Sequence, residues 1–446
     1  MITTEGAPLV ESLLDLDPTA AEDFLTAASA RTWLALDEAA RYSSWARPAW
    51  TAVLDRRLTI GGLERVLMAC GPSGWVREAE VAVIAKRGEW PQVLALRSAD
   101  WVAQVRDRAR TACERLLDGP GVVALAPVAF ALRERRLGGW LADRVEIALR
   151  GAEPEVLAAA LAVADVRVRR LAYDVALTRG SLGLDSVLRG ALRDPDLPIR
   201  LRCVAAATRL ADDVDALRVL LSCRAASVRA EAVRVLGRRD AAVAALFDRS
   251  PLVRSVAQRL VPDAADRYRA ALPRGVAGLG ETGEPADAAL VRPWLEDPEP
   301  RVRAAAVRAL RRLGAVDVEL VERMLADPSD VVVRAVVAAL RGRVVRLDRD
   351  RLLALLESDG RMVVRNAAYR LLRESGVWVR LLTDLRLVAV DDELRHRALA
   401  DLHDWVSSRS ATAYTPPNPV ELRQALRAAE PHLPAGLERW VRFVIG

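Results

Sequence analysis

A phrase of the form D-x-x-x-x-V/I-R-x-x-A-x-x-x-L returns along the chain, and a returning phrase restricts the fold to a stack of like units. It reads DPEPRVRAAAVRAL from Asp297, DPDLPIRLRCVAAA from Asp194, DRSPLVRSVAQRLV from Asp248, DGRMVVRNAAYRLL from Asp359 and DWVAQVRDRARTAC from Asp100. The arginines of these and weaker copies fall at Arg106, Arg169, Arg200, Arg229, Arg254, Arg269, Arg303, Arg365 and Arg395, most gaps being about thirty residues or twice that. The aspartate makes a turn and caps a helix. Apolar residues one before the arginine and three, six, seven and ten after it share one face at about 100° per residue.

Between phrases lies a second amphipathic stretch, such as ADAALVRPWLE from Ala286 or VELVERMLA from Val318. Two short antiparallel helices per unit follow, and neither buries its apolar face without stacking on neighbours. Composition agrees. Hydrophobic residues make up 52% of the chain but aromatics only 4%, and the apolar content is mostly Ala, Val and Leu. At 446 residues the chain also exceeds the size at which one compact core keeps growing.

These units resemble HEAT repeats, in particular the bacterial HEAT-like class first associated with phycobilin lyases. Gly278 to Gly314, GLGETGEPADAALVRPWLEDPEPRVRAAAVRALRRLG, is the clearest copy. The resemblance implies an all-α solenoid of antiparallel helix pairs, a right-handed α-α superhelix whose second helices line the concave side. It also implies a ladder of hydrogen bonds between turn aspartates and second-helix arginines. Six pairs keep the spacing: Asp100 with Arg106, Asp194 with Arg200, Asp248 with Arg254, Asp263 with Arg269, Asp297 with Arg303 and Asp359 with Arg365. The unit starting at Asp327 departs from it, with Val333 at the expected position and Arg334 one residue late.

The resulting organisation is a helical cap over residues 1–70, a repeat array over 71–405, a linker over 406–419 and a second helical cap over 420–446. Trp33, Trp45 and Trp50 lie in the first cap, and Pro416, Pro417 and Pro419 break helices in the linker. Pro262 and Pro273 predict a shortened unit between Pro262 and Gly280. Between Ala131 and Arg150 the phrase is lost although helical patterning continues.

Charge and motifs narrow the function. The net charge of +6 comes from 66 basic against 60 acidic residues, so most positive charge finds a negative neighbour. Lys86 is the only lysine, which reads as the codon bias of a GC-rich, bacterial genome. Cys70, Cys113, Cys203 and Cys223 form no C-x-x-C pair and read as small buried residues. With no secretory leader, and Val122 to Leu132 about half the ~20 residues of a membrane span, a cytoplasmic chain is expected.

GLGETG, Gly278 to Gly283, fits the dinucleotide pattern G-x-G-x-x-G, but no strand precedes it; a helix-terminating turn with a glycine at positive φ is expected. His396, His403 and His432 make no H-E-x-x-H, and neither G-x-S-x-G nor a phosphate-binding loop occurs. The expectation is therefore no catalytic, cofactor or metal residue. Trp101 beside Asp100 resembles the tryptophan and aspartate of the alkylpurine DNA glycosylases, a HEAT-like family, and opens a nucleic-acid-binding alternative.

The candidate binding residues are arginines. Arg234, Arg259, Arg274, Arg308 and Arg370 each follow a phrase arginine by five residues, about 140° around a helix and nearly opposite its apolar face. Stacked about 10 Å apart, they would form a basic stripe for an acidic protein segment or a phosphate backbone. The leading reading is a scaffold that binds a protein partner, and the phrase arginines themselves should be engaged structurally.

Overall fold

The computed structural model describes residues 7–42, 61–358, 360–407 and 418–445. Trp45, Trp50, Asp359, Ser408, Pro416, Pro417 and most of the expected linker lie outside the described residues. Every element among the described residues is a helix. The chain divides into two compact units, Met1–Leu236 and Gly237–Gly446.

In the first unit the helices Ala7–Leu14, Pro18–Ala27 and Ala30–Tyr42 precede a run of hairpins. Gly62–Cys70 pairs with Gly74–Arg87, Pro91–Arg97 with Ala103–Leu117, and Gly121–Leu132 with Gly139–Gly151. Pro154–Leu161 then pairs with Val166–Thr178, and Leu184–Arg193 with Leu197–Leu210. The segment that lost the phrase thus keeps the hairpin. Buried Val122, Leu125, Ala126, Val128 and Leu132 hold it in place.

The second unit repeats the scheme with shorter first helices. Pro293 tightens the end of the stretch after Ala286 into a 3₁₀ turn, Arg292–Glu296, which precedes the helix Pro300–Arg312. Val318–Arg323 precedes Asp330–Leu340, and Arg349–Glu357 precedes Met362–Glu374. Second helices pack directly on one another, Val276–Thr282 against Pro300–Arg312, that against Asp330–Leu340, and that against Met362–Glu374. The shortened unit is present as two seven-residue helices, Ala264–Ala270 and Val276–Thr282.

Three sequence expectations are corrected. First, Gly278 and Gly280 lie inside the helix Val276–Thr282, and neither has positive φ. Their role is close approach. A Cβ on Gly278 would fall 2.1 Å from the Tyr268 ring, and one on Gly280 2.5 Å from Ala309 Cα.

Second, the aspartate six residues before an arginine is not its carboxylate partner. Arg303 donates Nη1 to the Asp297 and Pro298 carbonyls at 2.8 and 3.1 Å, and its Nε and Nη2 to Asp327 of the next unit at 2.8 and 2.9 Å. Arg254 likewise takes the Asp248 carbonyl and reaches forward to Glu281, and Arg169 takes the Val163 and Ala164 carbonyls and reaches Asp194. Several turn aspartates meanwhile accept a backbone N–H two residues ahead: Asp194 from Asp196, Asp248 from Ser250, Asp297 from Glu299, Asp327 from Ser329. That bond orients the carboxylate toward the preceding unit, so the ladder runs between units rather than within one. Asp263 pairs with Arg267 instead, while Arg269 takes Asp266 and Asp287. Arg200 leaves Asp194 to Arg169, and its Nε is buried without a partner.

Third, Arg274 follows the end of the helix Ala264–Ala270 and stands in a turn, so the angular argument for its direction fails.

Candidate partner-binding surface

The second helices of the Gly237–Gly446 unit carry three arginine-lined cavities in a row. The first, of about 490 Å³, lies between the turn Leu246–Arg249, Ala277 and Gly278 of Val276–Thr282, and Pro300–Arg312; Arg249, Arg254, Arg274, Arg301, Arg308 and Arg312 surround it. The second, of about 430 Å³, lies between Pro300–Arg312 and Asp330–Leu340 and is lined by Arg308, Arg311, Arg312 and Arg334 over Ala335 and Ala338. The third, of about 490 Å³, lies between Asp330–Leu340 and Met362–Glu374, with Arg380 at one side. Arg308 and Arg312 line both the first and the second, and Arg334 both the second and the third. Between the arginines the lining includes the small residues Ala277, Gly278, Ala305, Ala335 and Ala338.

Packing explains why these arginines face out. In Pro300–Arg312, Ala304, Ala306, Val307, Ala309 and Leu310 are buried, leaving Arg301, Ala305, Arg308 and Arg312 on the open face. In Asp330–Leu340, Val333 is buried where a phrase arginine would stand. Arg334 is then rotated about 100° from it, onto the polar face. Among the described residues, Arg301, Arg308, Arg311, Arg334 and Arg370 are exposed and no side-chain ion pair or hydrogen bond is seen for them. The Arg308 guanidinium, although open at the surface, is shifted below the usual arginine value by desolvation and by Arg312.

The five arginines of the expected stripe are therefore not equivalent. Arg274, Arg308 and Arg370 line these cavities, Arg274 stacking on Phe247 at 4.6 Å. Arg259 is exposed and lines none of them. Arg234 belongs to the Met1–Leu236 unit, where Glu231 of its own helix takes its guanidinium. Arg334, Arg341, Arg373 and Arg380 were missed by the offset of five; the signal that finds Arg334 and Arg341 is their seven-residue spacing along one polar face.

Asp100 and Trp101 do not form a base-excision pair. Asp100 is 3% exposed and its carboxylate accepts from Arg77 Nε at 2.9 Å and Nη2 at 3.0 Å, Arg97 Nη1 at 2.9 Å and Val102 N at 2.9 Å. Arg106 reaches only its main-chain oxygen, at 3.1 Å. Arg41 and Arg77 place their guanidiniums over the half-exposed Trp101 ring, 4.4 and 4.3 Å from its centroid. The four cysteines are buried, and burial pushes the thiols of Cys70, Cys113 and Cys203 up to about 12, far from nucleophilic thiolates. His396, His403 and His432 are all exposed.

A family model described as HEAT repeats matches residues 253–341. Residues 253–341 are HEAT repeats. The matched repeats contain the second cavity entirely and most of the first. A solved structure of an engineered protein aligns over 96% of this chain and 98% of its own at 16% identity, with a TM-score of 0.15, a value at which whole chains do not superpose. No curated protein matches. No helix among the described residues is long and apolar enough to cross a membrane.

Behind the third cavity lies a buried acid pair. Tyr369 donates its hydroxyl to Asp384 Oδ1 at 2.7 Å, and Asp384 Oδ2 has no N–H directed at it. Desolvation and the nearby Asp401 carboxylate push Asp384 well above the usual carboxylate range. A folded-state proton that the unfolded chain has released lowers stability as pH climbs from the ordinary carboxylate range, near 4, toward the raised value. Asp384→Asn keeps a donor and cannot ionise. As pH rises above the ordinary carboxylate range, the melting temperature of the parent chain should fall relative to that of the variant; parallel curves would show that Asp384 is ionised in the fold.

Proposed function

We propose that the chain is a non-catalytic scaffold that holds an acidic segment of a protein partner along the three arginine cavities of its Gly237–Gly446 unit. The observation that carries this is the continuity of the cavities through Arg308, Arg312 and Arg334, with Arg308, Arg334 and Arg370 free of acidic partners. The phrase arginines Arg169, Arg254 and Arg303, by contrast, are spent on carbonyls of their own turn and on a carboxylate of the following unit. A row of unneutralised guanidiniums offers charge-assisted bonds to carboxylates.

An acidic polypeptide fits better than single-stranded nucleic acid, which needs free aromatic faces for its bases. The aromatic residues lining the cavities are Phe247 and Tyr268; Arg274 covers the first, and the second is buried with its hydroxyl on the Leu246 carbonyl. The bacterial, cytoplasmic setting read from composition belongs to the same proposal.

The test is fluorescence anisotropy of the full chain with a labelled glutamate-rich peptide and with a labelled oligothymidylate, at low and high salt. Each lost contact is worth about 1 kcal/mol at an exposed site, so the Arg308→Glu, Arg334→Glu, Arg370→Glu triple variant should bind the peptide roughly 100-fold more weakly. Its far-UV circular dichroism should be unchanged, since all three side chains are exposed. Equal binding by parent and triple variant removes the reading. Tighter, equally sensitive binding of the oligonucleotide replaces it with the nucleic-acid alternative.

A further inference from the structure

We infer that the third cavity is a receptor for one phosphorylated side chain of the bound segment, an inference that rests on the acidic-segment reading and specifies it. Its lining holds Arg334, Arg341, Arg370, Arg373 and Arg380 around Val337, Ala338 and one acid, Glu374. The five guanidiniums are of two kinds.

Arg373 and Arg380 are anchored. Both reach the same carboxylate, Asp401, which is 3% exposed; Arg380 donates Nε to its Oδ2 at 2.8 Å, and Arg373 donates Nη2 to its Oδ1. Arg373 also lies 5.6 Å from the Tyr369 ring, whose hydroxyl is tied to Asp384. Neither arginine is buried by this, so both keep N–H groups for the cavity while their positions are set from behind. Arg334 and Arg370 are exposed and no partner is seen for either, and Arg341 spans the rim to Glu374. Anchored donors need little ordering on binding, and free ones close over the ligand.

The contrast with the first cavity is informative. There the anchored arginine, Arg254, spends Nη1 on the Asp248 carbonyl and its Nε and Nη2 on Glu281, so little is left for a ligand.

Charge then selects the ligand. Five arginines against Glu374 and Asp401 leave three positive charges uncompensated around about 490 Å³. One carboxylate leaves two of them, whereas a phosphomonoester, at about −1.5 to −2 near neutral pH, leaves close to one. Its three terminal oxygens also accept from several planar guanidinium forks at once, which a carboxylate with two oxygens does not.

The experiment compares three otherwise identical acidic peptides, carrying serine, glutamate or phosphoserine at one central position, titrated into the full chain. The phosphoserine peptide should bind roughly 10-fold tighter than the glutamate peptide. Arg334→Ala, Arg370→Ala should abolish that preference, weakening the phosphoserine peptide more than the glutamate peptide, which Arg301, Arg308, Arg311 and Arg312 still hold. Arg370→Lys, which keeps the charge and loses the fork, should reduce the preference. Equal affinity for the phosphoserine and glutamate peptides, or a preference that survives the double substitution, overturns the inference and leaves the acidic-segment reading standing. Failure of all three peptides to bind overturns both. Inorganic phosphate that competes as well as the phosphoserine peptide, or a 5′-phosphorylated oligonucleotide that outcompetes it, overturns the assignment to a phosphorylated protein segment.

Discussion

Asp100→Ala should lower the unfolding free energy of the chain by about 3–5 kcal/mol, the range for leaving buried charges without their counter-ion. Arg77 is fully buried and Arg97 is 1% exposed, and both point at this one carboxylate. Arg97 retains Asp37 and Arg77 retains the Gly71 and Pro72 carbonyls, so neither loses every partner, but Arg77 loses its one carboxylate among the described residues. Asp297→Ala is the control at the same place in the phrase. Among the described residues the Asp297 side chain accepts only the Glu299 N–H, at 2.8 Å, because the preceding arginine, Arg269, goes to Asp287. Its loss should cost about 1 kcal/mol, the value of a capping bond. Urea titrations followed by circular dichroism, read at the first transition because repeat arrays need not unfold in one step, check both. Equal costs at the two positions would disprove a ladder that runs from one unit to the next.

That contrast marks where the sequence was legible. Burial follows a fixed period, so Ala306, Ala309, Leu310 and Leu313 could be placed from their distances to Arg303, and all four are buried. Helix pairs and the short unit around Pro273 follow from equally local rules. The partner of a turn carboxylate does not, because it lies in another hairpin at a spacing that drifts from 23 residues, Arg77 to Asp100, to 27, Arg254 to Glu281. A spacing of six was constant for a different reason, the bond from Nη1 to the main-chain oxygen. Arg334 was hidden by the same logic. As a phrase arginine shifted by one residue it looks like a defect, but Val333 takes the buried place and a one-residue shift turns the guanidinium from core to surface. Arg274 shows the converse, since an angular offset has meaning only while the helix continues.

Gly280→Ala should cost about 2–3 kcal/mol, toward the upper end of the range for adding a methyl group to a packed interior. Helix propensity alone gives the opposite sign, because alanine is favoured over glycine inside a helix by about 1 kcal/mol. Packing wins here. The new Cβ would sit 2.5 Å from both Cα and Cβ of Ala309, and backbone cannot swing aside as the end of a long side chain can. The helix Val276–Thr282 must then move away from Pro300–Arg312, separating Ala277 and Gly278 from Arg301, Arg308 and Arg312 across the first cavity. Stability and peptide affinity should therefore fall together. Gly139→Ala is the counterpart: nothing lies within 4 Å of its Cβ, at the start of Gly139–Gly151, so propensity acts unopposed and the chain should gain up to about 1 kcal/mol. Denaturant midpoints and the anisotropy titration on the same two variants decide the matter. A Gly280→Ala chain as stable as its parent would mean that the second helices stand further apart than these glycines require.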